Sequence, residues 1–271
     1  MTTAQRIIKY CAIAFALFLI VSILTGILGA VSGLSFLFDG EDAVGEMQTY
    51  AVTEPVQNLE IDLSGARLTM QTGDAFSVES DHKYLKLENA DGLLRISEDR
   101  PAFGLHTEGV RVVLTVPKDV TFERADLEAG AGTMQIDTLL TERLSLDLGA
   151  GEADIGRLVA HDKAKINSGA GKLTIGDGTL TDLELDMGLG KVTLTGALTG
   201  DCQIDHGAGK LELTLRGDAA DYQISLDKGV GKATLAGTEM QDDTVYGNGD
   251  RSIEIDGGVG SMEIEFEEES E

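Results

Sequence analysis

Two kinds of hydrophobic pattern divide the chain. Residues 10–38 form an apolar stretch without a charged side chain, whereas the rest of the chain alternates apolar and polar residues in short runs. Alternation with a period of two residues is typical of β-strands that bury one face, and a long apolar run is typical of a membrane-spanning helix. The pattern therefore predicts one N-terminal transmembrane helix followed by an all-β region.

The alternating part of the chain is built from repeats. A Gly-x-Gly element recurs seven times, and successive elements begin 19, 20, 19, 19, 22 and 29 residues apart. The glycines are Gly130 and Gly132, Gly149 and Gly151, Gly169 and Gly171, Gly188 and Gly190, Gly207 and Gly209, Gly229 and Gly231, and Gly258 and Gly260. Near-constant spacing indicates a repeat architecture, and an inserted loop around 241–252 explains the longer last step.

Aligned repeats place their apolar residues in four columns. In one repeat these columns contain Leu183 and Leu185 before the glycines and Val192 and Leu194 after them. A further apolar contact follows in several repeats, at Leu139, Leu158, Leu180 and Leu198. Two short strands and a tight corner in 19–20 residues fit one coil of a β-solenoid. A leucine-rich repeat lacks such paired strands, and a propeller blade needs about 40 residues.

The sequence therefore predicts a single-chain parallel β-solenoid (β-helix) of 19–20-residue coils, in which each coil stacks on the preceding one. The glycines are expected at coil corners, where a positive φ and the close approach of neighbouring backbones favour a residue without a Cβ. In residues 57–117 the pattern is less regular, because Ser64 and Ala66 stand where later coils have glycine.

These patterns predict a domain organisation. Residues 1–9 are cytoplasmic, 10–38 form a transmembrane signal anchor, 39–56 a stalk, 57–266 the solenoid and 267–271 an acidic tail. Within the solenoid, residues 57–117 form irregular first coils and residues 123–266 the regular repeats. The charged tail is expected to discourage end-to-end pairing of sheets.

The apolar segment also predicts a topology. Its 29 residues would form a helix of about 43 Å, longer than the ~30 Å hydrocarbon core of a bilayer. Arg6 and Lys9 precede it and acidic residues follow it, so the positive-inside rule places the solenoid outside the plasma membrane. A cleaved signal peptide is the alternative. Gly29 and Gly33 have the GxxxG spacing of weak helix dimers, although such glycines are also tolerated in lipid-facing helices.

Charged residues form two further columns beside the glycines. Asp186, Asp205 and Asp227 come two residues before the first glycine of their repeats. Lysines come one residue after the second glycine, at Lys172, Lys191, Lys210 and Lys232. We expect the lysines to neutralise the aspartates across the corner, or the aspartates to accept backbone N–H bonds at the turn. The alternative is a ladder of divalent cations on the aspartates.

The remaining composition argues against catalysis and nucleic-acid binding. A net charge of −26 repels phosphate backbones. Tyr222 and Tyr246 are the only aromatic residues in 123–261, which leaves a glycan-active enzyme few platforms for sugar rings. The histidines have no metal-ligand spacing and are expected to be solvated, and Cys202 is expected to be buried between Leu183 and Ile224. We therefore predict no catalytic residue, no cofactor and no metal.

The repeat unit resembles that of a known family. It reads hydrophobic-Asp-hydrophobic-Gly-Ala-Gly-x-hydrophobic-x-Ile/Leu, and the strand Val112–Pro117 and one N-terminal span precede it. Over about residues 46–266 this is similar to the bacterial "putative adhesin" family, a domain-of-unknown-function family of membrane-anchored cell-surface β-solenoid proteins. Some members are encoded beside envelope-stress signalling systems of Gram-positive bacteria.

The resemblance implies the architecture and the cell-surface location more than a function. Our leading hypothesis is a non-enzymatic surface protein that binds a protein or cell-envelope partner, in adhesion or in envelope-stress signalling. The main alternative is a structural or adhesive spacer without a specific ligand. A glycan-modifying β-helix enzyme is the less favoured third hypothesis, because acids that a repeat spreads evenly do not form a unique catalytic site.

Overall fold

A computed structural model describes residues 41–99, 105–106 and 109–268, which are almost entirely β-strand. The strands are β1 (Glu41–Asp42), β2 (Val44–Ala51), β3 (Asn58–Leu63), β4 (Arg67–Gly73), β5 (Ser77–His82), β6 (Leu85–Ala90), β7 (Leu93–Glu98), β8 (Leu105–His106), β9 (Arg111–Pro117), β10 (Phe122–Ala129), β11 (Thr133–Leu148), β12 (Glu152–Thr181), β13 (Leu183–Thr199), β14 (Asp201–Arg216), β15 (Tyr222–Asp227), β16 (Val230–Leu235), β17 (Thr238–Glu239), β18 (Thr244–Gly247) and β19 (Arg251–Glu267). A 3-10 turn, Ala219–Asp221, precedes β15. β1 pairs in parallel with β8, as a separate two-stranded sheet.

The predicted anchor, residues 10–38, lies outside the described residues, as do residues 1–9 and the end of the acidic tail. Within the described ranges, no helix is long and apolar enough to cross a membrane.

The repeats stack as parallel coils of one open sheet. β12 pairs with β13, and β13 with β14, so that Ile166, Leu185 and Ile204 share one row across three coils. Each of these strands continues through its Gly-x-Gly element, and the register places the residues before and after the glycines in separate rows. The all-β, solenoid-like architecture that the periodicity predicts is therefore confirmed.

The predicted apolar columns form the core. Leu183, Val192 and Leu194 are fully buried, and the third contact is buried at Leu158 and Leu180. Removing one such side chain from water stabilises the fold by about 1.5–3 kcal/mol. Because nearly every coil contributes four or five aliphatic residues, the interior is a stack of thin aliphatic layers rather than one thick core.

The coils do not stack in sequence order at the C-terminal end. β19 pairs in parallel with β14 on one side and with β15 and β16 on the other. The coil that contains Gly258 thus lies between those of Gly207 and Gly229, and the expectation that each coil stacks on the preceding one is wrong here. The segment 241–252 is more than a loop, because β18 pairs antiparallel with β15 and covers its outer edge before the chain returns along the inner edge.

The N-terminal end has the same arrangement. β3 lies between β7 and β10, and β4 lies between β9 and β11, so the outermost coil is again not the first in sequence. Antiparallel strands cover this coil: β6 pairs with β7, and β5 pairs with β9. Covering the edges limits sheet-to-sheet aggregation.

Two segments assigned from the sequence take other places in the sheet. Val44–Ala51, within the segment 39–56 that the sequence assigns to a stalk, forms β2 and pairs antiparallel with β5. Most of its side chains are exposed, so it carries no clear alternating pattern. Glu267, the first tail residue, pairs with Arg216 inside the stack, so β17 and β18 cover this end instead of the acidic tail.

Candidate functional site

The Gly-x-Gly elements bring neighbouring backbones into close contact. A Cβ built on Gly149 would lie 2.3 Å from the carbonyl oxygen of Gly130, and one on Gly151 would lie 2.2 Å from that of Gly132. No side chain fits at such distances. A positive φ accompanies the contact in only some coils, for example at Gly190 (φ +149°) but not at Gly171. Close approach is therefore the general reason for these glycines, and the backbone angle is an additional one at certain coils.

The middle residue of each Gly-x-Gly element points to solvent. In spatial order these residues include Ala170, Leu189, Ala208, Val259 and Val230, which the strand register aligns in one row. Leu189, Val259 and Val230 are exposed by 53%, 43% and 55%. We call the last four residues of this row the apolar ridge. This ridge was not predicted from the sequence. Its signal there is the replacement of alanine, which the other four Gly-x-Gly elements have in the middle, by leucine or valine in three elements.

An acidic row runs along one side of the apolar ridge. It contains Asp186, Asp205, Asp256 and Asp227 in this order, so Asp256 separates two members of the predicted cation ladder. Partial burial, followed by the neighbouring carboxylates of Asp186 and Asp256, raises the pKa of Asp205. In the part of the chain that is described, no group of three or more His, Cys, Asp or Glu side chains is arranged to hold a metal ion.

The lysines lie on the other side of the apolar ridge, and Lys191 and Lys210 pair with glutamates. Lys191 Nζ lies 2.7 Å from Glu212 Oε2, and Lys210 Nζ contacts Glu212 and lies 3.3 Å from Glu263 Oε2. Hydrogen bonds from Lys191 and Lys210 lower the pKa of Glu212 to about 2. The expectation that the lysines neutralise the aspartates across the corner is therefore wrong for these two residues. Glu212 lies on the same strand segment as Lys210, whereas the aspartates are separated from the lysines by the ridge.

Two histidines and a cysteine are buried in the core. His82 and His206 are 2% and 3% exposed, so the expectation of solvated histidines is wrong for both. Burial lowers the pKa of His206. Cys202 is buried as predicted, and burial raises its pKa to about 11. Its partner in the register is Ile253 instead of Ile224, because of the altered coil order.

His82 belongs to a largely buried polar cluster near the N-terminal end of the stack. The backbone N–H of Tyr84 donates to His82 Nδ1 over 3.0 Å, which leaves Nε2 facing Glu98 Oε1 at 3.5 Å. Ser64 Oγ donates to the other oxygen of Glu98. Burial alone would raise the pKa of Glu98, but the neighbouring His82 side chain and the hydrogen bond from Ser64 outweigh it and leave the pKa lowered. The cluster joins β5 and β7 to the bend between β3 and β4, and the side chains of His82 and Glu98 are fully buried, whereas Ser64 is half-buried.

Comparison with known proteins identifies the family. The Toastrack DUF4097 family matches residues 56–268. A "putative adhesin" from Bacteroides fragilis has a similar structure, with 12% identity, a TM-score of 0.45, and coverage of 83% of this chain and 100% of that one. A "putative cell adhesion protein" from Clostridium sporogenes has 15% identity and a TM-score of 0.37, with coverage of 82% of this chain and 99% of that one. A "putative adhesin" from Parabacteroides distasonis has 17% identity and a TM-score of 0.38, with coverage of 83% of this chain and 100% of that one.

No curated protein matches the chain significantly. The family match includes all the regular coils, 123–266, and all the irregular ones, 57–117. It confirms the resemblance to a family of unknown function that the repeat unit indicates. The chain belongs to the Toastrack DUF4097 family.

Proposed function

We propose that the protein is a non-enzymatic surface protein that is anchored in the plasma membrane by residues 10–38 and binds a protein partner along the apolar ridge. Residues 1–9 are cytoplasmic in this proposal, and the coils lie outside the cell. The observation that carries the proposal is the exposure of Leu189, Val259 and Val230 in one row across four consecutive coils, with Ala208 between Leu189 and Val259.

The surroundings of the ridge support a protein as the partner. Protein interfaces have an apolar centre and a polar rim. The ridge extends over three coil spacings, about 14 Å, and has carboxylates on one side and lysines on the other. A partner that packs apolar side chains against the ridge would bury this centre, and its charged side chains could pair with the carboxylates on one side and the lysines on the other.

The acidic row suggests the charge of the surface that the partner brings. Partial burial and then the repulsion of the neighbouring carboxylates raise the pKa of Asp205, whereas Lys191 and Lys210 already have glutamate partners. Cationic side chains placed over the acidic row would relieve that repulsion. The partner surface is therefore apolar with a basic edge.

A spacer without a specific ligand is the competing hypothesis. Such a protein needs only small or polar residues in the middle of each Gly-x-Gly element, as Ala131, Ala150 and Ala170 provide in other coils. Large apolar residues at these exposed positions lower solubility without improving the core, which favours binding over a purely structural role.

Crosslinking in intact cells tests the proposal. An amine-reactive crosslinker can react at Lys191 and Lys210, which flank the ridge, and the captured proteins are then identified. We expect the double variant Leu189→Ser/Val259→Ser to lose a specific captured protein. Val245→Ser is the matched control, because Val245 is 55% exposed but lies outside the ridge. Equal capture by all three proteins would contradict binding at the ridge.

Protease accessibility tests the anchor separately. Protease added to wall-stripped cells should degrade the coils and leave a short membrane fragment. Protection of the coils, or a mature N-terminus near residue 39, would contradict the proposed topology or the uncleaved anchor.

A further inference from the structure

The solvent-facing surface of the strand segments that precede the glycines carries one cluster of positive charge. Six residues before the first glycine, Arg124, Arg143 and Lys163 lie in register on three neighbouring coils. Four residues before it, Ser145 and Lys165 are flanked by Asp126 and Glu184 of the adjoining coils. Cations thus gather locally on a chain whose net charge is −26.

These residues surround a surface cavity of about 210 Å³. We call it the basic cavity: Arg124, Arg143, Lys163 and Lys165 line it together with Ser145 and the carboxylate residue Asp126. Leu144 also borders it, but its side chain is buried in the core, so the aliphatic stems of the lysines and arginines provide the apolar surface of the cavity. The space accommodates an anionic group together with a few carbon atoms, but no folded macromolecule.

Neighbouring acids neutralise the basic cavity only in part. Arg124 Nε lies 2.7 Å from Asp126, and Lys163 Nζ lies 2.6 Å from Glu184. Arg143 reaches Asp162 at a longer distance of 3.7 Å. Lys165 has no ion pair among the described residues. The pKa of Glu184 is lowered mainly by its hydrogen bond with Lys163, and the charge of Lys165 makes a smaller contribution.

Like charges on adjacent coils repel each other. At a spacing of about 4.8 Å the repulsion is roughly 1 kcal/mol per pair in water, and it is several times larger where the effective dielectric constant is near 20. An anion held between Arg143 and Lys165 would remove this repulsion and would gain charge-assisted hydrogen bonds from the guanidinium group.

We infer that the basic cavity binds the phosphate group of a polyol phosphate ester, of the kind carried by anionic polymers of a cell envelope. Two guanidinium forks and two ammonium groups offer more donors than the two oxygens of a carboxylate can accept, whereas a tetrahedral phosphate presents acceptors in several directions. The carbon atoms of the ester would lie against the aliphatic stems of Lys163 and Lys165. Because the surrounding surface is acidic, binding would be confined to this cavity.

Calorimetric titration of the full-length chain in a nonionic detergent tests the inference. The probes are glycerol 3-phosphate, inorganic phosphate and acetate. We expect glycerol 3-phosphate to bind at millimolar or lower concentration, inorganic phosphate to bind more weakly and acetate to show no saturable binding. Acetate binding as tight as that of glycerol 3-phosphate would overturn the preference for phosphate, and the absence of saturable phosphate binding would overturn the site.

Charge-matched variants locate the binding. Arg143→Ser/Lys165→Ser should weaken glycerol 3-phosphate binding at least tenfold, whereas Lys172→Ser/Lys191→Ser, with the same loss of charge on the other strand surface, should weaken it less than twofold. Equal losses would indicate general charge attraction and would overturn the site. Arg143→Lys keeps the charge but loses the fork, so it should show an intermediate loss even if the double variant folds poorly.

A membrane lipid could present the same chemistry. Vesicles of phosphatidylglycerol are therefore added to the detergent-free chain reconstituted in phosphatidylcholine nanodiscs. Binding that appears with these vesicles but not with glycerol 3-phosphate would overturn the inference. The ridge variant Leu189→Ser/Val259→Ser should bind glycerol 3-phosphate normally, so this result is distinguishable from the outcome of the partner experiment.

Discussion

Alanine substitutions at three glycines separate the two reasons why the coils need glycine. At Gly190 both conditions hold: φ is +149°, and a Cβ would lie 2.0 Å from the carbonyl oxygen of Gly171. At Gly171 only the contact is present, with a Cβ 1.9 Å from the carbonyl oxygen of Gly151. At Gly237 only the backbone angle is present, since φ is +73° and no atom lies within 4 Å of the added carbon.

The structure predicts how strongly each of the three alanine substitutions lowers the free energy of unfolding. A residue with a Cβ at a positive φ costs about 1–3 kcal/mol, and forcing an extra carbon into a packed contact costs about another 1–3 kcal/mol. Gly237→Ala should therefore cost about 1–2 kcal/mol, near the lower limit for the angle. Gly171→Ala should lower the free energy of unfolding by at least as much, because two coils must separate by about 1 Å and strain their hydrogen bonds. Gly190→Ala should lose about 2–6 kcal/mol.

Urea unfolding followed by circular dichroism measures these differences on the full-length chain. For a domain of roughly 200 residues, 1 kcal/mol corresponds to about 2–4 °C in Tm, so thermal unfolding provides an independent measurement. A Gly171→Ala variant that is clearly more stable than Gly237→Ala would refute the reasoning. In that case adjacent coils would separate at little cost, and backbone conformation would explain the glycines better than close contact.

Two further predictions concern titratable groups. Glu212→Gln should reduce the stability by about 1 kcal/mol, since it removes a network with Lys191 and Lys210 instead of a single exposed pair. Because the folded pKa of Glu212 is about 2 against an ordinary value of 4.5, this stabilisation is complete above the ordinary pKa and is lost as the pH falls toward the folded one. Urea midpoints of both proteins at pH 7 and pH 2 test this, and an unchanged difference would contradict it. Cys202 should resist a thiol reagent at pH 8, where a pKa of about 11 leaves roughly a thousandth of the thiol ionised. Peptide mapping distinguishes its label from that on Cys11, and rapid labelling of the folded chain would contradict the buried position.

Periodicity was sufficient to predict the cross-section of a coil. The alternation around Leu185 and Val192 fixes which side chains point inward, and both are buried. Periodicity could not predict the order of the end coils, because the coils of Gly229 and Gly258 have the same apolar columns and fit either neighbour. The antiparallel strand β18, which decides the order, reads from the sequence as part of a loop.

The candidate sites depend on contacts that no local pattern contains. The lysine column was visible, but its pairing with Glu212 depends on which strand segment a flexible side chain can reach. His82 and Glu98 are sixteen residues apart in sequence and meet because β7 belongs to the outermost coil and β5 covers the same coil by pairing with β9. The basic cavity likewise requires the register that places Arg143 beside Arg124 and Lys163.

The interleaved coil order bears on how the apolar ridge is presented. In a solenoid each coil gains stability from its neighbours, so a terminal coil with one neighbour unfolds most readily. Val259 does not lie on a terminal coil, because β19 has parallel neighbours on both sides. Val230 lies on the outermost coil, but β17 extends β16 by an antiparallel pair, and β18 does the same for β15. Detaching that coil would expose the core residues of β19. The fold therefore holds the apolar ridge on coils that resist fraying, which suits a surface that must keep its shape for a partner.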